Sequence, residues 1–358
     1  MAIAQGVGPA LDALDCGPDA CSFTQALLTS RTIGAGDVYE GIEAFYERGW
    51  TDGLPVVPPT PARVAAMLDA AGLAPDAVLG SIPTRGDLLF TAEKVAINAV
   101  MAGALPEYMA LIAAAVRALG RPENHAHGHT ATLSGAVQTL IVNGPQRRRL
   151  NINSQDGAFG PGWRANATIG RALRLVIRNV ARSVAGEFDR AAYSHPARYS
   201  FCFGEDEEAA PDWPTLAESA GLARDADAVT LHASMWHAPI ATASRDPDVV
   251  LRTLAGGARN LMGIGTSGAF DPAMATPRRR FLFALGLEHL RVLRDAGLAK
   301  ERVIERLFEG MSEPGAVPPV EVVTPDDVML VRVGAPALQW SWFFCPFPNA
   351  LPVTEPVT

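Results

Sequence analysis

The stretch from Thr132 to Asn179 constrains the fold more than any other part of the chain. An apolar run ending in Leu140-Ile141-Val142 reaches Asn143-Gly144-Pro145, and a loop at Phe159-Gly160-Pro161-Gly162 opens onto an amphipathic segment. A buried strand that feeds a turn and then a helix is the repeating step of α/β architecture. The helix is predicted over Arg164–Ser183. Ile169, Leu173, Val176, Val180 and Val184 form its apolar stripe, and Arg171, Arg174, Arg178 and Arg182 form a second stripe on another face.

The rest of the chain reads as alternating elements around that unit. Residues 1–35 form an irregular arm with a short amphipathic piece at Phe23–Leu28, and Asp37–Arg48 is a first helix. Gly49–Thr60 carries Pro55, Pro58 and Pro59, which exclude both a helix interior and a central strand, so a stiff extended segment is expected. Thr60 then caps a helix that starts at Pro61. Helices follow at Ala92–Gly103 and Pro106–Leu119, with strands near Thr130–Val137, Thr139–Val142, Tyr199–Phe203 and Ala228–His232. Val249–Asn260 reads as a helix, and the pattern from Thr276 reads as helical in two parts split at Gly297. Two strands, Val328–Val333 and Leu338–Phe344, complete an α/β fold with a mixed sheet and helices packed on it. A soft boundary in 265–275 allows two subdomains: a main unit over 36–265 and a C-terminal α/β segment over 266–358, which could equally belong to the same unit.

Composition narrows the function class. About half of the 358 residues are apolar, enough for a sizeable core, and the net charge of −8 argues against nucleic-acid binding. Arg147–Arg149 and Arg278–Arg280 are local basic runs, read as solvated turns or, alternatively, as a phosphate clamp. Cys16, Cys21, Cys202 and Cys345 form no CxxC pair, no signal-like N-terminus is visible, and no long uncharged apolar run is present. These features together predict a reduced, cytoplasmic protein without a membrane span.

Several residue groups could carry chemistry. The loop before Arg164 would present unpaired N–H groups at a helix start. There Arg164 and Arg171 could grip an anion, with Asn143, Asn166 and Thr168 adding neutral hydrogen bonds. The alternative is a helix whose arginines make ion pairs within the protein. No phosphate-loop or dinucleotide fingerprint is present, so no nucleotide cofactor is expected. His125, His127 and His129 would share one face if extended, making His127 and His129 candidate ligands of a divalent metal; a polar loop fits the same residues. His289 is a candidate acid/base or a satisfied core residue. Asp52 and Glu205 are candidate carboxylates for proton transfer. Cys202 sits among aromatic and acidic neighbours that raise a thiol pKa, which favours a structural role.

The motifs also resemble a bacterial family with the signature TDGLPVVPPT, some members of which are encoded beside or fused to small proteins bearing a selenocysteine/cysteine-Gly-Ser-Cys motif. Thr51–Thr60 carries that signature, and Glu93, Asn98–Gly103, Pro106–Tyr108, Asn143–Pro145, Phe159–Arg171, Asn179, Phe201-Cys202, Glu205, Trp213 and Glu288-His289 match as well. The chain departs from the pattern at Ala104, where the family often has Cys, at Leu287, and in the less Gly-rich Val333–Leu338 segment. The resemblance implies that the Arg/Asn/Thr group and His289 belong to a shared site, and it names no substrate. The expected function is a small-molecule lyase or hydrolase acting on an anionic carboxylate or phosphate. The alternatives are a thiol- or selenol-linked redox component and a non-catalytic subunit with a protein partner or a second copy of itself.

Overall fold

A computed structural model describes residues 23–86, 88–266, 280–312, 324–336 and 339–358. The arm's Cys16 and Cys21, and Arg278 and Arg279 of the second basic run, lie outside the described residues. The helices are α1 (Phe23–Ala26), α2 (Val38–Glu47), α3 (Pro61–Ala70), α4 (Ala92–Met101), α5 (Met109–Gly120), α6 (Ala126–Thr130), α7 (Pro145–Arg149) and α8 (Arg164–Asn179). They continue with α9 (Leu216–Ser219), α10 (Pro247–Thr266), α11 (Leu287–Asp295) and α12 (Lys300–Met311). The strands are β1 (Val78–Ile82), β2 (Leu88–Thr91), β3 (Val137–Asn143), β4 (Cys202–Gly204), β5 (Ala228–Ala241), β6 (Phe281–Leu285), β7 (Val328–Arg332), β8 (Trp340–Pro346) and β9 (Val353–Pro356).

Seven strands form a mixed sheet in the order β4-β3-β5-β8-β6-β7, with β9 also on β5. β3 runs parallel to β4 and β6 parallel to β7, whereas β5 is antiparallel to β3, β8 and β9. β5 is the spine. Its first half pairs with β3 and β9, and after a register shift between Ser234 and Trp236 its second half pairs with β8. Strands from both sides of the 265–275 region therefore share one sheet.

Side-chain alternation assigns the faces. Leu140 and Val142 of β3, with Val229 and Leu231 of β5, pack under α4, α5 and α8. Phe281, Phe283 and Phe343 pack under α10, α11 and α12. The opposite face belongs to Val137, Ile141, Phe201, Phe203, Leu282, Val331 and Phe344, which meet each other because the sheet curls. The outer strands come together at this curl: the Asp206 N–H donates to the Arg332 carbonyl at 2.7 Å and the Gly334 N–H to the Ser154 carbonyl at 2.9 Å.

Local chemistry matches the expected cap at Thr60 and adds one at Asp37. Thr60 Oγ1 accepts from the Arg63 N–H at 3.4 Å ahead of Pro61, and Asp37 Oδ1 accepts from the Tyr39 and Glu40 N–H groups at 2.8 and 2.9 Å. α8 approaches the chain at Ser200 so closely that a Cβ on Gly170 would lie 2.3 Å from Ser200 Oγ; only glycine fits there. Two expectations are corrected. The segment expected as a strand from Thr130 begins only at Val137, and the histidine run before it is the short helix α6. The helical reading from Thr276 gives way to β6 at Phe281–Leu285, because a five-residue apolar run between two covered faces suits a buried strand.

Candidate functional site

The Thr51–Thr60 signature and α8 are two halves of one structural unit. An extended segment rich in proline has few N–H groups and no sheet partner, so its carbonyls need donors from elsewhere. α8 supplies them. Arg171 grips Asp52 with Nε at 2.8 Å and Nη2 at 2.9 Å, and Nη2 also donates to the Leu54 and Pro55 carbonyls at 3.3 and 2.9 Å. Arg178 donates to the Gly49 carbonyl at 3.0 Å, and Asn179 to the Trp50 carbonyl at 2.9 Å and to Asn98 Oδ1 at 2.8 Å. The anion that Arg171 holds is thus a carboxylate of its own chain.

The other residues expected to bind an anion are dispersed. Arg164 donates twice to the Gly103 carbonyl, at 3.2 and 3.0 Å, and Thr168 donates to the Arg164 carbonyl within its own helix at 2.8 Å. Asn166 is buried and fastens the preceding loop, accepting from the Asn153 N–H at 2.8 Å and donating to the Asn153 carbonyl at 3.0 Å. Asn143 lies in the interior, with Nδ2 donating to Glu205 at 2.7 Å and to Glu207 at 2.9 Å.

Glu205 is wholly buried and fully engaged within the protein. Its Oε1 is 2.9 Å from Arg332 Nε and 2.7 Å from Nη2, while Oε2 accepts from Asn143 and from the Leu216 N–H, each at 2.7 Å. With three hydrogen-bond donors and the Arg332 charge against it, this carboxylate joins the outer strands of the curled sheet and is enclosed away from any substrate. His289 is equally enclosed: Nε2 is 3.1 Å from the Thr242 carbonyl and Nδ1 2.8 Å from Ser341 Oγ. A carbonyl only accepts, so Nε2 carries the proton and Nδ1 accepts from the Ser341 hydroxyl. Ser341 alternates with Trp342 along β8 and shares the helix-covered face of Phe343 and Cys345, so the pair anchors α11 to the sheet. Burial lowers the His289 pKa, partly opposed by the Thr242 carbonyl.

The histidine run does not form the expected metal array. His125 has a positive φ of 53° and starts α6, so the three imidazoles are not aligned as in an extended strand. His129 is buried with both ring nitrogens engaged, by Asn124 Oδ1 at 2.8 Å and by Gln138 Nε2 at 2.8 Å, and His127 packs its ring edge-on to Phe188. Among the described residues no group of three His, Cys, Asp or Glu side chains could hold a metal ion. Cys202 and Cys345 are buried free thiols, and burial pushes Cys202 up to about 12, far from a thiolate at neutral pH.

The unpaired positive charge is found deeper along the α8 stripe. Arg174, Arg178 and Arg198 line a cavity of about 430 Å³ together with Asp52, Asp189, Tyr193, Ser194, His195 and Tyr199. Asp52 is committed to Arg171, and Asp189 pairs with Arg198 Nη2. The hydrogen bonds of Arg174 go to uncharged acceptors: Nε donates to the Arg198 carbonyl at 2.9 Å and Nη1 to Gln138 Oε1. Gln138 in turn donates to His129, so a buried polar chain runs from the cavity wall to Asn124. Burial, then the fields of Arg198 and Arg178, push Arg174 down to about 9, against the opposing pull of Asp189 and Asp52. A guanidinium keeps its proton at pH 7 even so, and the depressed value expresses positive charge that its surroundings do not neutralise. The Nε atoms of Arg178 and Arg198 are buried without an acceptor among the described residues.

His195 completes this wall. Its Nδ1 accepts from the Ala197 N–H at 3.1 Å, so the proton of the neutral ring sits on Nε2. Burial lowers its pKa, and its ring meets His237 at 4.6 Å between centroids. Arg174 and Arg178 were visible in the sequence as part of the arginine stripe, whereas Arg198 and His195 come from an irregular segment without periodicity and carried no signal.

Comparison of the chain with family models, with curated proteins and with solved structures finds no match. Among the described residues no helix is long and apolar enough to cross a membrane.

Proposed function

We propose that the chain is an enzyme that binds a small anionic metabolite, a carboxylate or a phosphate, in the Arg174–Arg178–Arg198 cavity. The observation that carries this reading is the convergence of Arg174, Arg178 and Arg198 on one cavity in which the charge of Arg174 has no carboxylate partner. An oxyanion entering the cavity offsets this excess charge and accepts charge-assisted hydrogen bonds from the guanidinium groups that line it. A volume of about 430 Å³ suits a metabolite rather than a macromolecule.

His195 is the hydrogen-bond donor of this reading: its neutral ring offers Nε2–H at the wall to polarise an oxygen of the bound substrate, a role that fits a lyase or hydrolase. Asp52, the carboxylate expected from the sequence to move protons, acts here by fixing Arg171 and the extended segment. Among the described residues, the buried thiols of Cys202 and Cys345 do not favour a thiol or selenol mechanism. A thermal-shift panel of small carboxylates and phosphates should contain a stabilising anion whose effect disappears in Arg198→Gln, and His195→Asn should retain that stabilisation while losing turnover of the same compound. A panel without one stabilising anion, or undiminished stabilisation of Arg198→Gln, rules the reading out.

A further inference from the structure

Lysine occurs twice in the chain, at Lys94 and Lys300, against twenty-eight arginines. Lys94 is exposed, the ordinary place for an ammonium, but Lys300 is only 4% exposed. A protein that supplies nearly every cation as a guanidinium has kept an amine at a buried position. The chemical difference is that an amine can give up its proton at accessible pH and become a nucleophile, which a guanidinium does not do.

The surroundings of Lys300 weaken its hold on the proton. It is the first residue of α12, where the helix dipole opposes a positive charge. Its Nζ donates to two uncharged acceptors, the Pro214 carbonyl at 2.7 Å and Ser219 Oγ at 3.2 Å. The nearby buried carboxylate, Glu205, is occupied by Arg332. Burial lowers the Lys300 pKa; Glu205 opposes this, Arg332 reinforces it, and Glu301 and Glu218 oppose it more weakly. Lys300 and its partner Ser219 line a cavity of about 500 Å³ that also exposes Arg280, Asp326 and Thr354, on different walls from the arginine cavity.

We propose that Lys300 is an amine nucleophile that forms an imine with a small aldehyde or ketone acid entering this cavity. The Nζ lone pair adds to the carbonyl carbon, and the carbonyl oxygen takes up a proton to give a carbinolamine. The proton gained by oxygen is balanced by one lost from Nζ, and departure of the hydroxyl with the remaining Nζ hydrogen releases one water and leaves a carbon–nitrogen double bond, with no change in oxidation state. Ser219 Oγ, in contact with Nζ, is placed to pass the proton. Arg280, whose Nη1 is paired with Asp327, retains other N–H groups for the carboxylate of the carbonyl acid.

The test is reductive trapping. The full chain is incubated with glyoxylate and cyanoborohydride at pH 7, and the modified sites are read by intact mass and peptide mapping. A lowered pKa raises the free-amine fraction at pH 7, so Lys300 should take up more label than Lys94. Lys300→Arg should lose that adduct and keep its folded circular-dichroism spectrum. The same preference must vanish when wild-type protein is labelled in concentrated urea, a comparison that holds even if the variant fails to fold. Equal labelling of the two lysines in the folded protein, or a preference that survives unfolding, overturns the proposal.

Discussion

Replacing Glu205 by Gln separates a structural from a catalytic carboxylate. The substitution removes the negative charge facing Arg332, which is only 1% exposed. It also turns one end of the side chain from an acceptor into a donor. If the Gln oxygen stays on Arg332, its amide nitrogen faces Asn143 Nδ2 and the Leu216 N–H, both donors now 2.7 Å from Glu205. Breaking a buried ion pair from one side costs about 3–5 kcal/mol, and the two donor–donor contacts add to that cost. Against a total stability on the order of 5–15 kcal/mol, the loss is large. Urea unfolding followed by circular dichroism should therefore show a decrease of about 4 kcal/mol or more, with the midpoint shifted and the slope nearly unchanged. Anion stabilisation, read at a temperature where the variant is still folded, should persist. A variant within about 1 kcal/mol of wild type that has lost anion binding or turnover would refute the structural assignment.

Three further outcomes follow from the geometry. Asp52→Asn removes the anionic partner of Arg171, whose side chain is 15% exposed, and should cost about 1–3 kcal/mol; limited proteolysis within residues 49–59 should accelerate, and unchanged cleavage would contradict the clamp. His232 and His237 are both lowered to about 4 by burial, against an ordinary value near 6.5. In that window the unfolded chain binds more protons than the folded one, so stability should fall as pH drops from about 6.5 to about 4, by up to roughly 3 kcal/mol per histidine, and should flatten with respect to these groups below that. His237→Phe should flatten the acid limb of a urea-midpoint profile, and an unchanged slope would count against its burial as the neutral form.

The sequence made the strand–loop–helix unit legible because its signals are long and periodic. Leu140 and Val142 face one layer while Val137 and Ile141 face the other, and α8 shows its apolar stripe over sixteen residues. The Thr60–Pro61 helix start was equally clear, since capping is local chemistry. β6 was not legible: Phe-Leu-Phe-Ala-Leu is as compatible with a buried helix turn as with a strand, and only pairing with β7 and β8 decides it. The histidine run misled because alternation in sequence aligns side chains only in an extended backbone, and His125 turns the chain into α6 instead. For the site, residue type carried over better than role. The arginine stripe was read as ligand-binding, but the neighbours of each guanidinium decide its use. Arg171 meets a carboxylate from a segment over a hundred positions away, whereas Arg174 meets none, and nothing local in the sequence distinguishes the two.

Calorimetric titration of inorganic phosphate into the wild-type chain and into an Arg178→Gln/Arg198→Gln variant tests the central claim most directly. The reading predicts saturable binding of one phosphate that weakens with added salt, with affinity reduced at least about a hundredfold in the variant for the loss of two charge-assisted contacts of about 1.5–3 kcal/mol each. Equal affinities in the two proteins, or no heat of binding in the wild type at millimolar phosphate, would contradict it.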